Sequence, residues 1–297
     1  MTQPALHTAE TLRSRSETVA GSLPALVADA QHLAATILLG EHGRKRHGMG
    51  DEFWQYRSAE AGDSLRAIDW RRSARADGLY VRQTEWKAAQ SVMIGVDDGQ
   101  SMGYAGANTR PSKLRRAQTL ALALAILAVR GGERVGLTHL AEPPRGGEAQ
   151  LMRIATALME TGETADYGVP SPQVLPAGSR AVFFSDFLGD LGPLEQAMGQ
   201  AADRGVKGAL VQVLDPDEES FPFDGRTVFE SMAGGLRFET LKAGGLRGAY
   251  LRRLQARKDQ LRQIAVRTGW RYHCHHTGDT AEPSLLWLYR ALEKGAS

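Results

Sequence analysis

The residues best suited to chemistry lie where apolar runs break. Val92–Met93–Ile94–Gly95–Val96 leads straight into Asp97–Asp98–Gly99–Gln100–Ser101, Ala181–Val182–Phe183–Phe184 leads into Ser185–Asp186, and Ala209 to Leu214 ends at Asp215. Carboxylates and hydroxyls gathered from separate strand ends would make a hard oxygen site suited to Mg2+, with Mn2+ or Ca2+ as alternatives. Zinc would want nitrogen or sulfur ligands, which these strand ends do not supply. A purely structural reading is equally open, in which Asp97 and Ser101 cap the following turn through backbone N–H groups. No Ser/His/Asp order, acid–base carboxylate pair or cofactor loop stands out, so no catalytic residue is assigned.

Such a site needs neighbouring strands, and the pattern provides them. Strand runs Ser91–Val96, Arg134–His139, Arg180–Phe184, Gly208–Leu214 and Trp270–His275 alternate with helical runs Lys113–Arg130, Ala149–Glu160, Gly192–Arg204, Leu246–Thr268 and Ser284–Lys294. This rhythm predicts an α/β fold with a mostly parallel central sheet and helices on both faces. VMIGV, AVFF and ALVQVL are apolar throughout, as strands covered on both faces must be. Two short strand-like pieces, Arg226–Glu230 and Leu236–Thr240, form a small β-rich insertion before the long helix. Upstream, residues 23–40 have helical apolar spacing at Leu26, Ala30, Leu33 and Ile37. The expected division is a loose arm at 1–22, an N-terminal region at 23–88 and the α/β domain at 89–297.

The order D-x-G-x-S after a first buried strand, then a helix, a later threonine, and S-D after a middle strand resembles the von Willebrand factor A fold with its metal ion-dependent adhesion site. The segment GMGDEFWQYRSAEAGDSLRAIDWRRSARADGLYVRQTEWKAAQSVMIGVDDGQSM is similar to a bacterial family known as domain of unknown function fifty-eight, as are DPDEESFPFDG and GWRYHCHHT. The resemblance covers roughly residues 40–295. It implies Asp97, Ser101, Thr164 and Asp186 as metal ligands, with Asp98 at the rim, where a partner carboxylate completes the coordination. Gly99 stands where that pattern has a serine, so water or Asp98 would supply the missing oxygen. The family also implies a MoxR-type AAA+ ATPase as partner, together with client proteins, and hence a non-enzymatic adaptor. The alternatives are a metal-dependent hydrolase or phosphatase using Asp97, Asp98 and Asp186, and a nucleic-acid binder using the arginine clusters.

Arg66, Arg71, Arg72 and Arg75 lie in and after the string GDSLRAIDWRRSAR. They read either as salt-bridge partners of Asp63 and Asp69 or as a docking surface, because the planar guanidinium pairs bidentately with carboxylates. His273–Cys274–His275–His276 invites a metal assignment, but strand alternation sends His273 and His275 one way and Cys274 and His276 the other. Alternation therefore excludes convergence of all four, and the expectation is a buried Cys274 with no Cys–His nucleophile pair. Thirty-six basic against 34 acidic residues leave a net charge of +2. That balance does not mark a nucleic-acid binder. One cysteine and no span of membrane length suggest a soluble, cytoplasmic protein.

Overall fold

The structure, a computed structural model, describes residues 22–37, 53–60, 64, 68–75, 78–84, 89–160, 165–168 and 175–292. Two compact units divide the chain: residues 41–89, and residues 1–40 together with 90–297. The first helix, α1 (residues 22–37), belongs to the larger unit. The smaller unit holds β1 (Phe53–Ser58), the single-turn helix α2 (Trp70–Ser73) and β2 (Tyr80–Thr84), with β1 and β2 antiparallel. Ile68 bridges to Val81 and both are buried. Asp69 caps α2 by accepting from the Arg72 N–H at 3.0 Å. Trp70, apolar enough to suggest an anchor, is instead exposed, as are Arg71, Arg72 and Arg75. Asp63 and Arg66 lie outside the described residues.

The larger unit is built on a parallel five-stranded sheet. Its strands are β3 (Ser91–Val96), β4 (Arg134–Leu137), β5 (Arg180–Ser185), β6 (Lys207–Leu214) and, after a β7–β8 hairpin (Thr227–Glu230, Arg237–Thr240), β9 (Arg271–His276). The order is β4-β3-β5-β6-β9, every pair parallel. One face carries α1, α3 (Lys113–Arg130), α4 (Glu148–Met159) and α8 (Glu282–Leu292); the other carries α5 (Gly192–Asp203) and α7 (Arg247–Thr268). Helix α3 is apolar almost all round because it is enclosed by β3, α4 and α8. Pro216–Ser220 form the short helix α6 between β6 and the hairpin. The α/β architecture with helices on both faces is thus as the alternating pattern predicts.

Within the expected N-terminal region at 23–88, α1 groups with the larger unit. Leu26, Ala30, Leu33 and Ile37 are all buried in the same core as α3 and α8, and Asp29 pairs with Arg115 at 2.8 Å. The apolar stripe of α1 needs a partner face, and it finds one on the large unit rather than in the segment that follows it in sequence.

Candidate functional site

In an open parallel sheet, ligands collect at the carboxyl edge where strand order reverses, because diverging connections leave a crevice there. The chain steps from β3 outward to β4 and then back across to β5, so the reversal lies between β3 and β5. Those are the strands that end in Asp97 and in Ser185–Asp186. Val96 pairs with Phe184 in register, and the Asp97 N–H donates to the Phe184 carbonyl at 2.8 Å.

Asp97 and Asp186 are almost fully buried. Asp97 Oδ2 accepts from the Ser185 hydroxyl at 2.6 Å, and Oδ1 accepts from the Gly99 N–H at 2.8 Å. Burial raises the Asp97 pKa above the usual carboxylate value, with the Ser185 and Gly99 hydrogen bonds opposing and Asp186 and Asp98 adding to the rise. Asp186 Oδ1 accepts from the Leu188 N–H at 3.0 Å, and its carbonyl accepts from Gln212 Nε2 at 2.8 Å. Phe187, between them, is held in the left-handed region (φ 51°) and donates its N–H to Ser185 Oγ at 2.9 Å. A buried phenylalanine adopts that conformation only when its surroundings enforce it. Here two side-chain-to-backbone hydrogen bonds do so, and they aim Asp186 inward.

The remaining carboxylates on this edge have partners of their own. Asp186 Oδ2 accepts from Lys113 Nζ at 2.8 Å, and the same ammonium donates to Glu218 at 2.7 Å. Asp215 accepts from Arg110 at 2.9 Å and from the Thr277 hydroxyl at 2.8 Å. Asp215 also caps α6 in a capping box whose other half is Glu218, which accepts from the Asp215 N–H. Burial alone would lower the Lys113 pKa, but the charges of Asp186 and Glu218 reverse the direction and hold it charged.

Of the residues expected to hold a metal, Asp97 and Asp186 stand on adjacent strand ends, and Ser101 follows in a 3-10 turn over Gln100–Gly103. Thr164 lies outside the described residues. One feature fits an ion: Ser101 Oγ is buried with no hydrogen-bond partner among the described residues. The rest of the set does not fit. Both Asp97 oxygens hold internal donors, Asp186 holds an ammonium, and the segment 165–168 lies directly on Asp97. A Cβ at Gly168 would fall 2.3 Å from Asp97 Oδ1, and one at Gly99 would fall 2.5 Å from the Gly168 nitrogen. The carbonyls of Ala165 and Asp166 bind the Gln100 and Ser101 N–H groups at 2.9 and 2.8 Å. A serine at position 99 therefore has no room. Asp98, expected at the rim, is half-buried.

Lys113, Glu218 and Arg110 escape a reading of the sequence as site residues. The one signal for Lys113 is that it opens α3 with no acidic residue in the first turn, a cation where the helix dipole disfavours one. Only distant carboxylates explain that placement.

Beside this edge lies an apolar cavity of about 500 Å3 lined by Phe221, Phe223, Phe229, Phe238 and Tyr250, with Glu218 and Arg253 at its margin. Phe221 stacks on Phe229 at 5.7 Å and meets Phe223 edge-on at 5.2 Å. The β7–β8 hairpin and its flanks expose Met232, Leu236, Phe238 and Leu241, the two leucines more than 70% exposed.

On β9, His273 and His275 both meet Ser284 Oγ at 2.9 Å, so the four side chains do alternate. Cys274, expected to be buried, is half-buried. Cys274 and His276, two residues apart, share the other face with Sγ···Nε2 3.8 Å, and His276 Nε2 lies 2.8 Å from Glu219. The dismissal of a Cys–His pair on grounds of alternation is corrected: alternation separates neighbours but aligns residues i and i+2. Lys258 also pairs with Glu219, which ties this cluster into α7.

The fold and this edge define a doubly wound α/β protein whose strand-end carboxylates are bound from within. Comparison with known proteins then identifies its family. The profile of the family described as "Protein of unknown function DUF58" matches residues 55–260, and the chain belongs to that family. Among curated proteins it is similar to "Uncharacterized protein Rv1480" of Mycobacterium tuberculosis and "Uncharacterized protein Mb1516" of Mycobacterium bovis. Each is 28% identical over 245 residues, 77% of this chain and 75% of the relative. Two solved structures align with all of their own length and 70% of this chain, each at a TM-score of 0.43. They are an aerotolerance-related membrane protein from Bacteroides fragilis (18% identity) and the hypothetical protein BatB from Bacteroides thetaiotaomicron (17% identity). Among the described residues no helix is long and apolar enough to cross a membrane.

Proposed function

We propose that this protein is a non-enzymatic interaction module, an adaptor for a MoxR-type AAA+ ATPase and its clients, as the family resemblance implies. The observation that carries a binding role is the aromatic cavity with its exposed apolar hairpin. Contiguous exposed apolar side chains cost solubility and mark contact surfaces. The occupant we assign is an apolar anchor residue from an acidic segment of the ATPase. Arg253 at the cavity margin and Arg252 beside it on α7, both exposed, offer cations to such a segment. The half-buried Asp98 and the arginines of the smaller unit, Arg66, Arg71, Arg72 and Arg75, serve in this reading as further partner contacts. A partner carboxylate completing a metal shell is disfavoured because Lys113 already sits on Asp186.

Co-purification of the full chain with the ATPase tests this reading. Phe238→Asp and Arg253→Glu are each expected to cut retention roughly tenfold, equal to about 1.4 kcal/mol, with thermal melting unchanged. Retention unaffected by both would remove the hairpin from the interface. The rival hydrolase reading would gain support only from phosphoester turnover with Mg2+ or Mn2+ that Asp97→Ala abolishes. The nucleic-acid reading requires retention on DNA or RNA that falls steeply with salt.

A further inference from the structure

The switch-point crevice of this sheet contains a cation, and it is part of the chain. Lys113 is 1% exposed, and its Nζ lies 2.8 Å from Asp186, 2.7 Å from Glu218 and 5.8 Å from the centre of the Tyr104 ring. It thereby links the start of α3, the end of β5 and the α6 capping box. The β5–β6 pairing and the packing of α3 on the sheet bring these three segments together, and the ammonium joins their side chains. We propose that the Lys113 ammonium is the resident cation of this site and that the protein takes no divalent metal there.

Three independent features support this assignment. The ammonium has one carboxylate from the sheet edge and one from α6, so a dication bound to Asp186 would be repelled at close range by a charge that cannot reach water. Gly99 removes a hydroxyl ligand, and the backbone of residues 165–168 fills the space that hydroxyl would need. Asp97, the carboxylate opposite, is bound by Ser185 and Gly99 rather than left with two idle oxygens. The geometry of an ammonium also suits the position, because its three protons can satisfy two carboxylates with the tyrosine face on another side. A metal ion released by a chelator would let these segments part. A lysine keeps them joined whatever the metal supply.

The decisive experiment uses the full chain and Mn2+ as the probe. Wild-type protein is expected to show no saturable Mn2+ binding by electron paramagnetic resonance up to about 1 mM, the weak end of protein sites for divalent ions. Its melting temperature should not move with EDTA, Mg2+ or Mn2+. Lys113→Met should lower that temperature by roughly 10 °C, since it strands the buried Asp186 carboxylate and leaves the partly buried Glu218 without its cation. Lys113→Met combined with Asp186→Asn should melt above Lys113→Met alone, because one stranded charge is gone. That pairing also guards against a single variant that fails to fold. One-to-one Mn2+ binding to wild type that Asp186→Asn abolishes would overturn the proposal. So would a Lys113→Met protein as stable as wild type, or a double variant no better than the single.

Discussion

A single glycine decides what the first strand end can hold. Gly99 is not a vacancy left by a lost serine, because a Cβ there would lie 2.5 Å from backbone nitrogen and 3.0 Å from Asp97 Oδ1. Gly99→Ser is therefore expected to destabilise the protein by about 1–3 kcal/mol through overpacking, read as a shifted urea midpoint. Unchanged stability would mean that residues 165–168 can yield. The same residues explain the orphaned Ser101 hydroxyl: the turn that brings its N–H to Asp166 also turns its side chain into the protein. D-x-G-x-S alone cannot distinguish a metal ligand set from such a turn. The difference lies in a segment that arrives much later in the chain, after α3, β4 and α4.

At the scale of one element, β9 carries three histidines, of which His275 and His276 titrate in opposite senses because they face opposite sides. Burial, then the nearby Arg116 and His273 charges, push His275 down to about 3. The Cys274 sulfur and Glu219 hold His276 up at about 9 against its own desolvation. His275 is kept neutral in the fold, so its contribution is present above about pH 6.5 and is lost as pH falls toward 3. His276 is kept charged, so its contribution is present below about pH 6.5 and is lost as pH rises through 9. Stability should therefore peak near pH 6.5, with the acid side worth at most about 5 kcal/mol and the alkaline side at most about 3 kcal/mol. Urea unfolding across pH 5 to 9 checks this: His276→Gln should flatten the alkaline limb and leave the acid limb, and the reverse result would refute the assignment.

At the scale of the molecule, the family match begins at residue 55 while the α/β core begins with α1, which lies before it. Removing residues 1–40 should therefore destabilise the large unit even though it spares the matched region. Leu26→Ala is a milder version, with an expected loss of about 2–5 kcal/mol for a fully buried leucine. Circular dichroism melts of both variants read this directly. If Leu26→Ala melts like wild type, α1 is an accessory rather than part of the core. The hairpin and cavity belong to this scale too, since in the proposed function a second molecule covers their exposed apolar side chains.

The alternating pattern of apolar runs and helical spacings was sufficient for the fold class, for α1 and its buried face, and for placing Asp97, Ser101, Asp186 and Asp215 at strand ends. Local physics explains that success: period and hydrophobicity determine whether a segment is a strand covered on both sides or a helix with one buried stripe. What occupies the edge was decided by tertiary structure. Lys113, Glu218, Arg110 and Thr277 are polar residues in ordinary surroundings along the chain, and apart from the position of Lys113 at the start of α3 nothing in their spacing marks them as site residues. They meet at the site because β6, α6 and the start of α3 arrive there from distant parts of the sequence. Ion pairing at long sequence separation has no periodicity to read, which is why the carboxylates could be found in advance and the cations that satisfy them could not.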